Sequence, residues 1–293
     1  MSLLHPQRRA ARAWLTARAM IVMPLVCSIP AFAQVSPDEV ARAFRLEVSP
    51  ALLLPDEEQE RYANLALRTL QTAGIVLLGP QYILVVDRHV KVQAAMLYWM
   101  SPGAPPIYVG ASPVSTGRVG QFDHFETPTG VFAHNLNNPD FRAEGTKNAN
   151  GILGYGAKGM RVYDFGWQQA RQGWTKQGVS EMRLQMHATD PYTLEPKLGS
   201  PQSKGCIRIA ATFNQLIDRL GLLDADYELA ADLVSTPWVL RRDRTPTYGA
   251  GRYLIVVETL RDTRPAWSST PSAVRHFGTE PSPRDTGRGS MPR

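Results

Sequence analysis

Cysteine is scarce in this chain of 293 residues: there are two, Cys27 and Cys206, too few to build a thiolate metal cage. No apolar run reaches the ~18 residues expected of a spanning helix, which argues against a polytopic membrane protein. No internal repeat is present. A G-x-S-x-G elbow and an S-x-x-K pair are both missing, so a serine nucleophile has no support. Beyond residue 34 the histidines are His89, His124, His134, His187 and His276, and no two stand at helical ligand spacing. With 43% hydrophobic residues, 20% charged residues and 23 each of Gly and Pro, the composition also excludes collagen, coiled coil and wholesale disorder.

A real excess of positive charge is lacking too. The formal charge is +6, but four arginines and no acid precede residue 34, and six arginines with three acids follow Leu260. Between them, residues 34–260 hold 22 bases and 23 acids, a balance with no grip on a phosphate backbone, so no nucleic-acid partner is expected.

The first 33 residues run from a basic stretch (HPQRRAARAWLTAR) through an apolar one (AMIVMPLVCSIP) to Ala31-Phe32-Ala33. That order predicts a cleavable signal peptide, residues 1–33, with the mature chain starting at Gln34 and destined for the periplasm or cell envelope. An uncleaved anchor is the alternative, although Pro24 and Pro30 interrupt the apolar run. Cleavage removes Cys27 and leaves Cys206 alone: an inert buried thiol, half of an intermolecular bridge, or a reactive group.

Residues 34–79 read as a helical arm. Ser36-Pro37-Asp38-Glu39 is a helix start, and a second start at Leu54-Pro55-Asp56-Glu57 leads to Gly74. Residues 80–243 read as a mainly β domain with peripheral helices, because short β-branched and aromatic runs alternate with Gly and Pro turns. One helix, ATFNQLIDRLGLL, interrupts them, and STPWVLRRD resembles a late strand. Residues 244–260 add a C-terminal strand extension around GRYLIVVETL. Residues 261–293, rich in Pro, Ser, Gly and Arg, are expected to be a disordered tail.

Gly154-Tyr155-Gly156-Ala157-Lys158-Gly159 matches a dinucleotide fingerprint as a string. It is followed by a strand-like run instead of a helix, and so reads as a surface loop. Chemistry concentrates in residues 187–209, HATDPYTLEPKLGSPQSKGCIRI. A thiol with a pKa of about 8.5 is mostly protonated at neutral pH and needs a base and oxyanion donors to attack an acyl carbon. Gly205 permits a tight turn before Cys206. The 15 residues between His187 and Ser203 can return the chain to the strand end that carries His187. The residues alone therefore suggest a Cys–His acyl-transfer pair, with a core cysteine under a glycine turn as the alternative.

His187, 15 residues, then Ser203-Lys204-Gly205-Cys206-Ile207-Arg208 resembles the signature of the L,D-transpeptidase catalytic domain (YkuD-like) family, a His followed by [S/T]-H-G-C, an apolar residue and Asn or Arg. Val114-Ser115-Thr116-Gly117 and Thr127-Pro128-Thr129-Gly130-Val131-Phe132 resemble that family's hairpin region. ILVVDRHVKVQAAMLYW resembles its first strand pair and TPWVL its closing strand. The resemblance implies a β-sandwich-like or barrel-like domain acting on peptidoglycan stem peptides, with Cys206 as nucleophile and His187 as base. The Ala188 carbonyl would orient the imidazole, and the Gly205 and Cys206 amides would hold the oxyanion. Ser203 and Lys204 would meet substrate, and Arg208 would order the loop or meet a substrate carboxylate. A D-amino acid would leave, and a second stem, another D-amino acid, an envelope protein or water would take the acyl group. No metal or organic cofactor is implied. A hydrolase (L,D-carboxypeptidase) and a catalytically silent wall-binding module remain the alternatives. Lys204 departs from the pattern by standing where familiar members have a second histidine; it either lowers the thiol pKa or points into solvent.

Overall fold

The computed structural model describes residues 35–234 and 237–271. The expected signal peptide and the last 22 residues of the expected tail (272–293) lie outside the described residues. No described helix is long and apolar enough to cross a membrane.

Two helices come first. Helix α1 (Pro37–Glu47) starts with a reciprocal capping box in which Ser36 and Glu39 satisfy each other's free backbone N–H groups. Helix α2 (Asp56–Thr72) places Tyr62, Ala63, Ala66 and Leu70 on one buried face at three- and four-residue spacing. The chain then enters strands β1 (Gln81–Asp87), β2 (Ala94–Met100), β3 (Ile107–Pro113), β4 (Gly130–Ala133) and β5 (Phe141–Arg142). Strands β6 (Arg161–Arg171), β7 (Val179–Ala188) and β8 (Ile207–Ile209) follow, then helices α3 (Ala211–Leu220) and α4 (Ala225–Leu233), and last β9 (Tyr253–Val257).

The strands form two sheets, ordered β3-β2-β1-β9-β4 and β5-β6-β7-β8. The fold is mainly β and sandwich-like, as the sequence suggests. Tyr82, Leu84 and Val86 of β1 face inward against Tyr163, Leu184, Met186, Ile207 and Ile209 of the second sheet. Ile83, Val85, Met96 and Tyr98 face the other way, under Tyr62, Ala66 and Leu70 of α2. Because the first sheet is covered on both faces, β1 and β2 are near-continuous apolar runs instead of alternating ones.

Several boundaries differ from expectation. The helical arm packs onto the β domain: Val40 and Phe44 join the central core, and Phe44 meets Phe213 of α3 edge-on at 5.3 Å. Helix α4 was not anticipated. The expected closing strand around TPWVL is instead a turn over residues 237–240, where Leu240 N–H donates to the Pro237 carbonyl. The expected disorder does not begin at residue 261. Arg261 grips Glu58 through two hydrogen bonds, Trp267 packs edge-on against Tyr62, and Ser268 is buried and donates to the Val92 carbonyl at 2.8 Å. Composition hid this because one aromatic and two arginines anchor an otherwise polar segment.

Candidate active site

Strand β7 alternates strictly near its end. Met182, Leu184 and Met186 enter the core, while Arg183, Gln185 and His187 share the opposite face. Strand β8 pairs with β7 in parallel, with Met186 opposite Ile207 and His187 opposite Arg208. Ile207 and Ile209 fill the core, so Cys206 and Arg208 emerge on the face that carries His187. The sequence interval of 18 residues between His187 and Cys206 is closed by this ladder.

The His187 Nδ1 lies 2.5 Å from the Ala188 carbonyl oxygen. A ring nitrogen bonded to a carbonyl carries the proton, which leaves Nε2 with the lone pair. Burial pushes the imidazole down to about 4, opposed by the bond to Ala188 and assisted by the nearby Arg208 charge. Burial pushes the Cys206 thiol upward, partly offset by the Gln185 backbone N–H and by Arg208. Both groups are therefore neutral at pH 7. The Sγ–H donates weakly to the Arg183 carbonyl at 3.7 Å.

The turn before the cysteine is held from several sides. Gly205 has φ +132°, and a Cβ there would stand 2.6 Å from Met182 Sδ, so only glycine fits. Its N–H donates to Ser203 Oγ at 3.0 Å, and the Ser203 hydroxyl donates to the Cys206 carbonyl. This corrects two expectations. The Gly205 amide is committed inside the turn and is not free for an oxyanion, and Ser203, 1% exposed, is a turn brace instead of a substrate contact. Lys204 points outward to Asp123 at 2.6 Å in an exposed ion pair. Arg208 donates to the Gln202 carbonyl at 2.9 Å, and its buried Nε has no partner among the described residues.

Sequence reasoning missed Tyr155. Its ring meets His187 edge-on at 4.7 Å, and its hydroxyl donates to Gln185 Oε1 at 3.2 Å. It lies in the glycine string read as a surface loop. Gly156, at φ +86°, would bring a Cβ within 2.9 Å of the Ala188 Cβ, so the glycine lets this loop press against the end of β7. Asp164, Arg183 and Gln185 were also missed, although the alternation Arg183, Gln185, His187 was visible as a period-two pattern.

His134, Asp140 and Asp224 gather in the interior with potential ligand atoms within 4.8 Å of one another. They do not fit a metal. His134 Nδ1 faces the Leu223 carbonyl at 2.7 Å and Nε2 faces both Asp140 oxygens at 2.9 Å, so both nitrogens carry protons. The buried Arg161 guanidinium already supplies a cation to Asp140 and Asp224, at 2.7 and 2.8 Å. A separate cavity of 440 Å³, lined by Arg88, His89, Thr116, Arg118, Glu126 and Thr127 among others, has neither Cys206 nor His187 in its wall.

A family profile described as the L,D-transpeptidase catalytic domain matches residues 81–239, more than half of the chain. The protein belongs to the L,D-transpeptidase catalytic domain family. Membership supports an activity of the L,D-transpeptidase family, on peptidoglycan. A search of curated proteins finds no match to the chain. The matched region ends before β9, so an interior strand of the first sheet, between β1 and β4, comes from outside it.

Proposed function

We propose that this protein is an exported cysteine acyltransferase that performs L,D-transpeptidation on peptidoglycan stem peptides through a thioester on Cys206. The observation that carries this reading is the placement of Cys206 and a neutral, Nδ1-protonated His187 on one face of the β7–β8 ladder. In the reaction, Sγ attacks the carbonyl at the L-centre of the diamino acid while its proton passes to His187 Nε2. The Cys206 N–H supports the oxyanion. Collapse of the tetrahedral adduct returns that proton to the amine of a D-amino acid, which leaves, and the stem stays bound as a thioester. An amine from a second stem, another D-amino acid or an envelope protein then attacks, gives its proton to His187, and takes the acyl group. With water in that place the product is the trimmed stem of an L,D-carboxypeptidase reaction.

Because thiol and imidazole are both neutral, proton transfer accompanies attack, and no thiolate–imidazolium pair waits in the free enzyme. The basic, apolar and Ala-x-Ala order of residues 1–33 supports export, and the substrate lies outside the cytoplasmic membrane. Incubating the mature protein with purified muropeptides and analysing products and intact protein by mass spectrometry tests the proposal. The expected result is release of a D-amino acid with an acyl adduct on Cys206. If a reduced thiol yields no adduct with either a tetrapeptide stem or a carbapenem, the acyl-enzyme reading is wrong.

A further inference from the structure

The face of the second sheet that holds His187 also holds a buried acid. Asp164 on β6 is 1% exposed and lies opposite Gln185 in the β6–β7 ladder. Its Oδ1 accepts the Gly166 N–H at 2.8 Å. Its Oδ2 accepts Arg183 Nε at 2.7 Å and Gln185 Nε2 at 2.8 Å. Three donors fix the carboxylate in place. The ladder is irregular between Asp164 and Trp167, with Gly166 at φ +78°. This bulge brings Trp167 opposite Arg183 and leaves its ring 62% exposed.

Arg183 is thereby held twice. Asp164 binds its Nε, and the guanidinium carbon lies 5.9 Å from the centre of the Trp167 ring. The side chain is 39% exposed, and Nη1 and Nη2 have no partner among the described residues. A planar fork fixed at one edge and open at the other suits a carboxylate, which it can accept bidentately. The location is adjacent to the chemistry, since the carbonyl of Arg183 itself is the acceptor for Cys206 Sγ. Strand rise is ~3.3 Å per residue, so an extended peptide with its reacting carbonyl at Sγ has a neighbouring carboxylate within one or two residues of the fork.

We propose that Arg183 reads a free carboxylate beside the scissile bond of the acyl donor, with Asp164 as the positioning residue that aims it. This rests on the acyl-transfer reading above and adds a requirement on the substrate. Two carboxylates of such a stem share this chemistry: the terminal one on the leaving D-amino acid, and the one on the far centre of the diamino acid.

Three synthetic tetrapeptide donors separate the sources, one with both carboxylates free and two with a single carboxylate converted to the amide. The rate of Cys206 acylation is followed by intact-protein mass spectrometry. For wild type, one of the two amidations should lower kcat/KM roughly tenfold or more, the scale of a hydrogen-bonded charge pair. Arg183→Gln should erase that discrimination mainly through KM, and Arg183→Lys should restore part of it as a charge without the fork. Asp164→Asn should weaken it while leaving the arginine in place. Wild type indifferent to both amidations, or Arg183→Gln discriminating like wild type, overturns the proposal. If no donor acylates the wild type, acyl transfer itself fails, and the carboxylate site is then judged by alkylation. The ratio of Cys206 labelling by iodoacetate to labelling by iodoacetamide should fall in Arg183→Gln, and an unchanged ratio overturns it. Arg183 is part-exposed, so this variant keeps the test readable even if Asp164→Asn does not fold.

Discussion

The Thr127 hydroxyl donates to the Gly205 carbonyl at 2.6 Å and accepts the Gly117 N–H at 2.8 Å, so one side chain joins three separate sequence blocks. Around it, Arg118 N–H donates to the Ser203 carbonyl and Phe125 N–H to the Lys204 carbonyl. Ser115 and Arg208 exchange two backbone hydrogen bonds of 2.9 and 2.8 Å. The V-S-T-G and T-P-T-G strings together form the cradle of the turn that precedes Cys206.

Thr127→Val tests that cradle with almost no change of volume. It leaves a half-buried N–H and a buried carbonyl without partners, which costs about 2–4 kcal/mol together. Chemical denaturation should show that loss, and Cys206 acylation should slow because the turn is no longer braced. Wild-type stability in this variant would refute the assigned role.

His187→Ala should slow acylation of Cys206 by roughly 10²–10⁴-fold, the usual contribution of a positioned base. The base form is lost only as pH falls through about 4. On its acid side the wild-type kcat/KM should therefore stay level from neutral pH to near 5, and decline below that. An acid limb centred near 6.5 would mean that the imidazole is not buried as described.

The His134–Asp140 pair sets a dependence of the opposite sense. Burial opposes the His134 charge, but Asp140, both by charge and by hydrogen bond, outweighs it and raises the pKa above the ordinary 6.5. A raised pKa contributes stability that is fully present below about pH 6.5 and is lost as pH rises through the folded-state value. The melting temperature should fall from pH 6 toward pH 9, and His134→Gln should start lower and respond less. A wild-type profile flat over that range would contradict a charged His134.

Truncation after Leu260 removes the Arg261–Glu58 fork and the Trp267 contact with Tyr62. The shortened chain should melt measurably lower, and Trp267→Ala alone should cost about 1–3 kcal/mol. Unchanged melting in both would show that this segment does not hold α2 to the first sheet.

How much was readable in advance depended on the range of the interactions. Helix starts at Ser36 and Pro55 were legible because caps and first-turn acids act within four residues. Strands β1 and β7 were legible from β-branched runs and from period-two alternation. His187 and Cys206 stood out through a motif and a spacing. Tyr155 did not, because its role depends on a loop folding back onto β7, a contact that no local pattern encodes. Asp164 did not, because a single acid in an apolar strand shows nothing until its three donors are in view. The packing of Trp267 was lost inside a polar composition for the same reason.

Strand β9 lies between β1 and β4, parallel to the first and antiparallel to the second, and it is the last strand among the described residues. During synthesis, β1 through β4 emerge long before the strand that must separate them. The sheet cannot close until residue 257 is available, which makes folding depend on contacts of high sequence separation. A chain arranged in this way keeps its first sheet incomplete for most of its time at the ribosome.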